Sequence, residues 1–228
     1  MELLNGKGLH KVYDTRGVLT RALDGVDLEV ADGEFTALAG PSGSGKTTLL
    51  NVLGALDTAD EGEVSLEGET YGDLSSGDLA ELRLRKLGFV FQSYNLIPVF
   101  SAVENVEFVM ELQAVGAKER RARAEEVLEQ VGLAGLEKKR PLEMSGGQQQ
   151  RVAVARAIAS RPRLVLADEP TANLDSATAR SLIELMLQLN GDQGVTFLFS
   201  THDPLVMESA RRLVRMQDGR LVSDERRG

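Results

Sequence analysis

The sequence contains no cysteine in its 228 residues. This absence excludes disulfide bonds, thiolate metal ligands and a catalytic thiol, and it leaves the redox compartment open. No run of 18 or more consecutive apolar residues occurs, so no membrane-spanning helix is predicted. The first residues, Met1–Lys11, lack the charged and then apolar order of a signal peptide, and we expect a chain that is not exported.

Basic residues are also few, because Lys and Arg total 26 while Asp and Glu total 35, for a net charge of −9. A chain with this balance lacks the basic face needed for broad contact with nucleic acid or for polybasic contact with a membrane. We therefore expect no nucleic-acid partner and no direct insertion into a membrane. The 42% apolar and 27% charged residues are typical of a folded globular chain.

Short β-branched runs alternate with amphipathic helical windows, which is typical of an α/β fold with a mainly parallel sheet flanked by helices. The strands are predicted at Val26–Val30, Phe35–Ala39, Glu63–Leu66, Gly88–Phe91, Leu164–Ala167, Val195–Ser200, Arg212–Met216 and Arg220–Ser223. Short turns between the early strands predict an antiparallel N-terminal part, and Asp218-Gly219 predicts a hairpin. Helical periodicity is clearest at Ala124, Val127, Leu128 and Val131, and again at Leu182, Leu185, Met186 and Leu189. No strand is predicted between Gln92 and Ser160, so this stretch is interpreted as a helical insertion.

The most specific motif is a glycine-rich phosphate loop, Gly40-Pro41-Ser42-Gly43-Ser44-Gly45-Lys46-Thr47, which fits G-x-x-x-x-G-K-[ST]. It follows a predicted strand and leads into a helical run, Thr48–Leu53, as the motif requires. Backbone N–H groups and the helix N-terminus favour bound phosphate, Lys46 suits the β- and γ-phosphates, and the Thr47 hydroxyl suits Mg²⁺. We expect the nucleotide to contact Ser42, Gly43, Ser44, Gly45, Lys46, Thr47 and Thr48.

A second motif is the apolar strand Leu164–Ala167, which ends in Asp168 and Glu169. Ligands of open α/β sheets bind beyond the carboxyl ends of the strands, so these acids are expected at the ligand edge. Asp168 suits Mg²⁺ coordination. Glu169, which alternates to the other side of the strand, suits polarisation of an attacking water.

A third motif, Met144-Ser145-Gly146-Gly147-Gln148, begins a second helix and forms a further anion site or a plain helix cap. Together with the two motifs above it resembles the signature of the ATP-binding-cassette (ABC) family, with Met144 where that family usually has Leu. The resemblance extends from about Leu3 to Val222. It implies a P-loop ABC fold with an N-terminal antiparallel β-subdomain and a helical signature subdomain, with a core at about 1–91 and 161–228 and the helical part at about 92–160.

The family resemblance also implies roles for residues outside the three motifs. Tyr13 resembles the aromatic residue that stacks on adenine, and Gln92 resembles the glutamine that approaches Mg²⁺ and the attacking water. Asn173-Leu174-Asp175 resembles the D-loop, and His202 resembles the switch histidine that contacts the γ-phosphate. The implied nucleotide site contains Tyr13, Gln92, Ser145, Gly146, Gly147, Gln148, Asp168 and Asp175 besides the phosphate loop. Catalysis is implied for Glu169, His202, Gln92 and Lys46, and Mg²⁺ ligation for Thr47, Gln92 and Asp168.

ABC domains pair head to tail, so the resemblance implies a homodimer that binds two ATP between phosphate loop and signature. It also implies a separately encoded integral-membrane permease and a cytoplasmic location at the inner face of the membrane. The apolar loop Ser93–Phe100 is either the permease contact or core of the helical insertion.

Three segments, Gly88–Gln92, Tyr94–Pro98 and Ala102–Val106, are similar to the lipoprotein-release and macrolide-export (LolD/MacB-like) branch, and Ala167–Thr171 followed by Asn173-Leu174-Asp175 supports that similarity. Two positions depart from it: Ser93-Tyr94-Asn95 replaces a His-rich segment, and Ala172 replaces a common Gly. We expect an ATPase that powers export. A cassette that transmits force across the membrane without transport remains an alternative, as does, less readily, a nucleic-acid-associated ABC ATPase.

Overall fold

The structure is a computed structural model that describes residues 2–227, without the side chains of Thr15 and Leu205. Ten strands are described: β1 (Glu2–Thr15), β2 (Val18–Ala31), β3 (Phe35–Ala39), β4 (Glu61–Leu66), β5 (Glu69–Thr70), β6 (Leu87–Val90), β7 (Leu164–Ala167), β8 (Thr196–Thr201), β9 (Arg212–Gln217) and β10 (Arg220–Arg226). Seven α-helices are described: α1 (Lys46–Leu53), α2 (Ser76–Lys86), α3 (Ala102–Leu112), α4 (Ala117–Gln130), α5 (Gly146–Ala159), α6 (Ser176–Gln193) and α7 (Pro204–Ser209).

The strands form two sheets. An antiparallel sheet has the order β2-β1-β4-β5, and a six-stranded sheet has the order β10-β9-β3-β8-β7-β6. In the larger sheet all neighbours are parallel except the β9–β10 hairpin. The turn of this hairpin has positive φ at both Asp218 (47°) and Gly219 (77°), the type I′ geometry that an Asp-Gly pair predicts.

Two apolar clusters lie on opposite faces of the larger sheet, and side chains sort between them with the two-residue period of a strand. Phe35, Ala37 and Ala39 of β3 belong to one cluster with residues of α3, α4, α5 and α6. Leu38 belongs to the other cluster, with residues of α1 and of the antiparallel sheet. Because both faces are covered, the central strands are apolar throughout, as a parallel sheet requires.

Several elements differ from the sequence-based expectations. The 14-residue strand β1 and the helices α2, α3 and α7 were not predicted, and β2 begins at Val18 rather than Val26. Residues 92–160 contain α3, α4 and α5 and no strand, in agreement with a helical insertion. Their apolar faces share one core cluster with the sheet. The division into a core at about 1–91 and 161–228 and a helical part at about 92–160 stays a prediction. Its end residues, Met1 and Gly228, lie outside the described residues.

Candidate functional site

The phosphate loop runs from the end of β3 to the start of α1, and its backbone makes two contacts that only glycine allows. Gly45 caps α1 with φ 102°, and a Cβ there would lie 2.3 Å from the Ala22 carbonyl oxygen. A Cβ on Gly40 would lie 2.2 Å from the Met216 carbonyl oxygen. The loop is therefore packed tightly against β2 and β9 and leads into the N-terminus of α1.

This loop forms one wall of a cleft of roughly 650 Å³, here named the phosphate-loop cleft. Its lining residues come from several elements: Tyr13, Thr20, Ala22, Pro41, Ser42, Gly43, Gly45, Lys46, Thr47, Thr48, Gln92, Glu169 and His202. The structure thus brings together most of the predicted site residues. Ser44 and Asp168 are not among the lining residues. The Ser44 side chain is buried at 2% exposure, and its N–H donates to the Pro41 carbonyl.

Lys46 is the cationic group at the base of the cleft. The Lys46 residue is 6% exposed, and a buried charge of this kind must be paired. It donates to the Gly40 carbonyl at 2.8 Å and the Pro41 carbonyl at 3.1 Å, and it lies 3.5 Å from Glu169 Oε1. The ammonium group is therefore held within the loop that surrounds it, at the start of α1.

Asp168 and Glu169 both face the phosphate loop. Their carboxylates approach Thr47 and Lys46, which are consecutive residues at the start of α1. Asp168 accepts from the Thr47 hydroxyl at 3.0 Å, whereas Glu169 lies beside Lys46. The expected alternation of these two side chains to opposite sides is wrong, because β7 ends at Ala167 and Glu169 has φ 45°. This left-handed residue, two positions after the end of the strand, turns the second carboxylate back toward the cleft.

Ser200 on β8 connects these two acids and was not predicted. Its hydroxyl donates to Asp168 Oδ1 at 2.6 Å and accepts from the Glu169 N–H at 2.9 Å, and its side chain is fully buried. His202, just beyond the same strand, places Nδ1 2.9 Å from Glu169 Oε2. Nothing local in the sequence identifies Ser200, which contacts the acids only because β7 and β8 are adjacent.

Tyr13 lies on β1 and lines the same cleft, although it is far from the phosphate loop in sequence. Its hydroxyl donates to Asp57 Oδ2 at 2.7 Å, and the Lys11 ammonium lies 5.4 Å from its ring centroid. Burial and the Asp57 carboxylate both raise the pKa of Tyr13. Burial opposes ionisation of Asp57, but hydrogen bonds from Tyr13, the Thr58 N–H and Lys11 outweigh it and lower the pKa of that carboxyl. Asp57 and Lys11 thus hold the ring, although neither was predicted.

Four predicted residues at the start of α5 do not line this cleft. Ser145 caps α5 by accepting from the Gln148 N–H at 3.3 Å, and Gln148 Oε1 accepts from the Ser145 N–H at 3.0 Å. Between them, Gly146 and Gly147 allow close approach of Tyr94 and Thr178. Asp175 likewise caps α6, and bonds from the Thr178 hydroxyl and backbone lower its pKa. Ser145 therefore acts as a helix cap in this chain. A ligand role for the start of α5 would require a second protein surface to complete the binding site.

A phosphate loop after one strand of a parallel sheet, with two acids just beyond another strand of the same sheet, defines a phosphate-loop nucleotide hydrolase. The family model for "ABC transporter" matches residues 23–172, more than half of the chain. The chain therefore belongs to the ABC transporter family and is an ATP-binding ATPase domain of that family. The resemblance inferred from the motifs and the fold class is confirmed.

Similar proteins match nearly the whole chain. An uncharacterised ABC transporter ATP-binding protein of Thermotoga maritima is 48% identical over 100% of this chain and 96% of its own length. The lipoprotein-releasing system ATP-binding protein LolD of Anaeromyxobacter dehalogenans is 47% identical, over 95% of this chain and 91% of its own. The macrolide export ATP-binding/permease protein MacB of Syntrophobacter fumaroxidans is 45% identical over 96% of this chain, which spans 31% of that longer protein.

Among solved structures, the ATP-binding cassette MJ0796 in a dimeric post-hydrolysis state bound to ADP and Pi superposes with a TM-score of 0.92. It is 41% identical and the match covers 99% of this chain and 100% of that one. Within residues 2–227 no helix has both the length and the apolar character to cross a membrane.

Proposed function

We propose that this chain is the ATP-hydrolysing subunit of an export-type transporter and that it acts as a head-to-tail homodimer. The observation that carries the proposal is the separation of two phosphate-binding motifs. The phosphate-loop cleft gathers Lys46, Glu169 and His202, whereas Ser145–Gln148 at the start of α5 does not line it. In a head-to-tail pair each cleft would be closed by the signature helix of the other copy.

The proposed catalytic roles follow from the geometry of the cleft. Lys46 and the outward N–H groups of the loop hold the phosphates, with Ser42, Gly43 and Thr48 around them. Glu169 is the base that orients the attacking water, and His202, 2.9 Å from its carboxylate, keeps it directed into the cleft. Gln92 lines the same cleft and is proposed to contact the water. Tyr13 is proposed to stack on the adenine ring, and Asp175 to contact the partner copy.

The oxygen atoms beside Thr47 fit a magnesium ion. The Thr47 hydroxyl and the Asp168 carboxylate are hard oxygen donors 3.0 Å apart. Within residues 2–227 no three acidic or histidine side chains converge as a metal cage, and Mg²⁺ is typically held by one or two protein oxygens plus substrate phosphates. Thr47, Asp168 and Gln92 would hold the ion, which neutralises charge on the phosphates when bound.

An apolar groove of roughly 290 Å³ supports a membrane partner. It lies between α2, β6, α3 and α5, beside the loop that carries Gln92, and its lining includes Leu56, Leu84, Phe89, Phe91, Phe108 and Leu112. Leu56 is 47% exposed and Leu112 is 57% exposed, so apolar surface is presented to a partner. We assign this groove to a segment of a separately encoded permease, which would place the chain at the inner face of the membrane. The similarity to LolD and MacB favours the export branch.

The proposal is tested with Glu169→Gln, which keeps the shape of the side chain and removes the base. We expect ATP to bind, hydrolysis to fall by at least about a hundredfold, and the protein to elute as a dimer with ATP. The matched control is Glu125→Gln, an exposed residue of α4, for which hydrolysis should be normal. Light scattering that shows a Glu169→Gln monomer at saturating ATP would refute the dimer, and unchanged hydrolysis would refute the role of Glu169.

A further inference from the structure

The loop that carries Gln92 contains two consecutive residues in the left-handed region. Tyr94 has φ 63° and Asn95 has φ 48°. Asparagine tolerates this conformation, but a tyrosine pays a steric cost for it because its Cβ approaches the backbone. Within the turn, the Tyr94 N–H donates to the Phe91 carbonyl at 3.1 Å and the Asn95 N–H donates to the Ser93 carbonyl at 2.7 Å. The Ser93 hydroxyl also donates to the Asn95 side-chain oxygen. A strained turn of this kind persists where surrounding groups hold it.

Arg156, on α5, is the group that holds the turn. Its Nη1 donates to the Asn95 carbonyl at 2.6 Å and its Nη2 donates to the Tyr94 carbonyl at 2.9 Å. The planar fork of a guanidinium matches two adjacent carbonyls that a left-handed turn points in one direction, and a lysine ammonium cannot reproduce both bonds at once. The arginine therefore fixes the loop two and three residues after Gln92.

Asn173 holds the same loop from its other side. Its Nδ2 donates to the carbonyl of Gln92 itself at 2.9 Å. Asn173 is exposed and lies four residues after Glu169, on the segment that leads from β7 to α6. Gln92 is thus tied through its own carbonyl to the segment that carries the proposed base, and through Tyr94 and Asn95 to the helix that begins with the signature.

The Gln92 side chain is exposed and lines the phosphate-loop cleft. Arg156 and Asn173 donate only to backbone carbonyls in these bonds. They therefore fix the position of the loop backbone from which the Gln92 side chain extends, and they leave its polar atoms free to contact a ligand. We infer that Arg156 and Asn173 are positioning residues for Gln92, which set its distance from the reacting water. This inference rests on the role proposed for Gln92.

The test compares steady-state ATP hydrolysis of Arg156→Lys, Asn173→Ala and Gln92→Ala, and of each of the first two combined with Gln92→Ala. We expect kcat to fall between about tenfold and a hundredfold in Arg156→Lys, with KM for ATP changed little, because misplacement by about 1 Å has effects of this size. Asn173→Ala should show a smaller fall of the same kind. If both residues act through Gln92, each double variant should be no slower than Gln92→Ala alone, whereas independent effects would multiply.

The matched control is Arg123→Lys. Arg123 also donates to a backbone carbonyl, that of Ala159 at 3.3 Å, but from α4 and away from the cleft. Its kcat should be normal. Thermal melts identify variants that fold poorly. If Arg156→Lys is one of them, the double-mutant cycle of Asn173→Ala with Gln92→Ala tests the inference instead, because Asn173 is exposed and its replacement should not disturb folding.

Normal kcat in Arg156→Lys and Asn173→Ala, or effects that multiply with Gln92→Ala, would overturn the inference while leaving the role of Gln92 intact. A normal kcat in Gln92→Ala would overturn both. If Arg156 had a purely structural role, Arg156→Lys would lower thermal stability, and its effect on kcat would still multiply with that of Gln92→Ala. That result also counts against the inference.

Discussion

Replacing Tyr13 by Ala tests whether the ring on β1 is the stacking surface for the base of the nucleotide. The ring lines the phosphate-loop cleft and is 37% exposed. Its hydroxyl is tied to Asp57 at 2.7 Å, and Lys11 lies 5.4 Å from the ring centroid. Because these contacts already restrict the ring, little further ordering is needed when a flat ligand stacks on it.

The expected magnitude follows from stacking of a base on an aromatic side chain, which contributes about 1–3 kcal/mol. Tyr13→Ala should therefore weaken ATP binding by a factor of about 5 to 150. Tyr13→Phe keeps the ring but loses the bond to Asp57, and we expect a loss of no more than about tenfold. Asp57→Asn, which weakens the same bond from the other side, should behave like Tyr13→Phe.

The assay compares binding of ATP with binding of inorganic tripolyphosphate, both with Mg²⁺, by isothermal titration calorimetry. Tripolyphosphate has no base, so its affinity should be the same in the wild-type protein and in Tyr13→Ala. The control variant is Val12→Ala, the neighbouring half-exposed residue of β1, which does not line the cleft. Equal losses for ATP and tripolyphosphate, or no loss for ATP, would refute the stacking role.

Two further predictions concern the phosphate loop and the C-terminal hairpin. Gly45→Ala places a Cβ 2.3 Å from the Ala22 carbonyl oxygen at φ 102°, so ATP binding should be lost and the free energy of unfolding lowered by more than about 2 kcal/mol. Gly68→Ala, at φ 80° with no atom within 4 Å, should cost about 1 kcal/mol and leave ATP binding intact, and equal effects in calorimetry would contradict the clash. Bonds from the buried Arg212 lower the pKa of Asp224, so their contribution is present above the unfolded pKa of about 3.9 and is lost as pH falls through the folded pKa. In urea unfolding, Asp224→Asn should be less stable by about 1 kcal/mol at about pH 7, with a gap that narrows in acid. Glu225→Gln, whose partners Arg215 and Arg227 lie 4.0 Å and 3.7 Å away, should show little change, and a gap for Asp224→Asn that does not narrow as pH falls below about 3.9 would contradict the pairing.

The sequence predicted the elements whose signals are local and regular. The apolar strands β3 and β7 match their predicted bounds, and the phosphate loop occupies the strand-to-helix turn that its motif requires. The two strands are buried on both faces, so their composition reports their environment directly. The sorting of Phe35 and Leu38 to opposite clusters follows from the same alternation.

Elements with irregular or weak patterns were missed. Strand β1 pairs with β2 through several register shifts, among them one between Gly6 and Leu9, and each shift interrupts the two-residue alternation. Helix α2 buries only Leu82 among its eleven residues, so it has no apolar stripe to detect. Its capping box, Ser75 with Asp78, was a usable signal for its start.

Sequence alone was sufficient for the family, the phosphate loop and the two acids after β7, because each depends on neighbouring residues whose types carry the chemistry. Contacts between distant segments were decided only by the tertiary structure. Asp57 holds Tyr13 from 44 residues away, Ser200 bonds Asp168 from 32 residues away, and Arg156 reaches Tyr94 across 62. No local pattern encodes these pairs, since an Asp, a Ser or an Arg acquires its partner only when packing of the sheet and helices brings the two segments together.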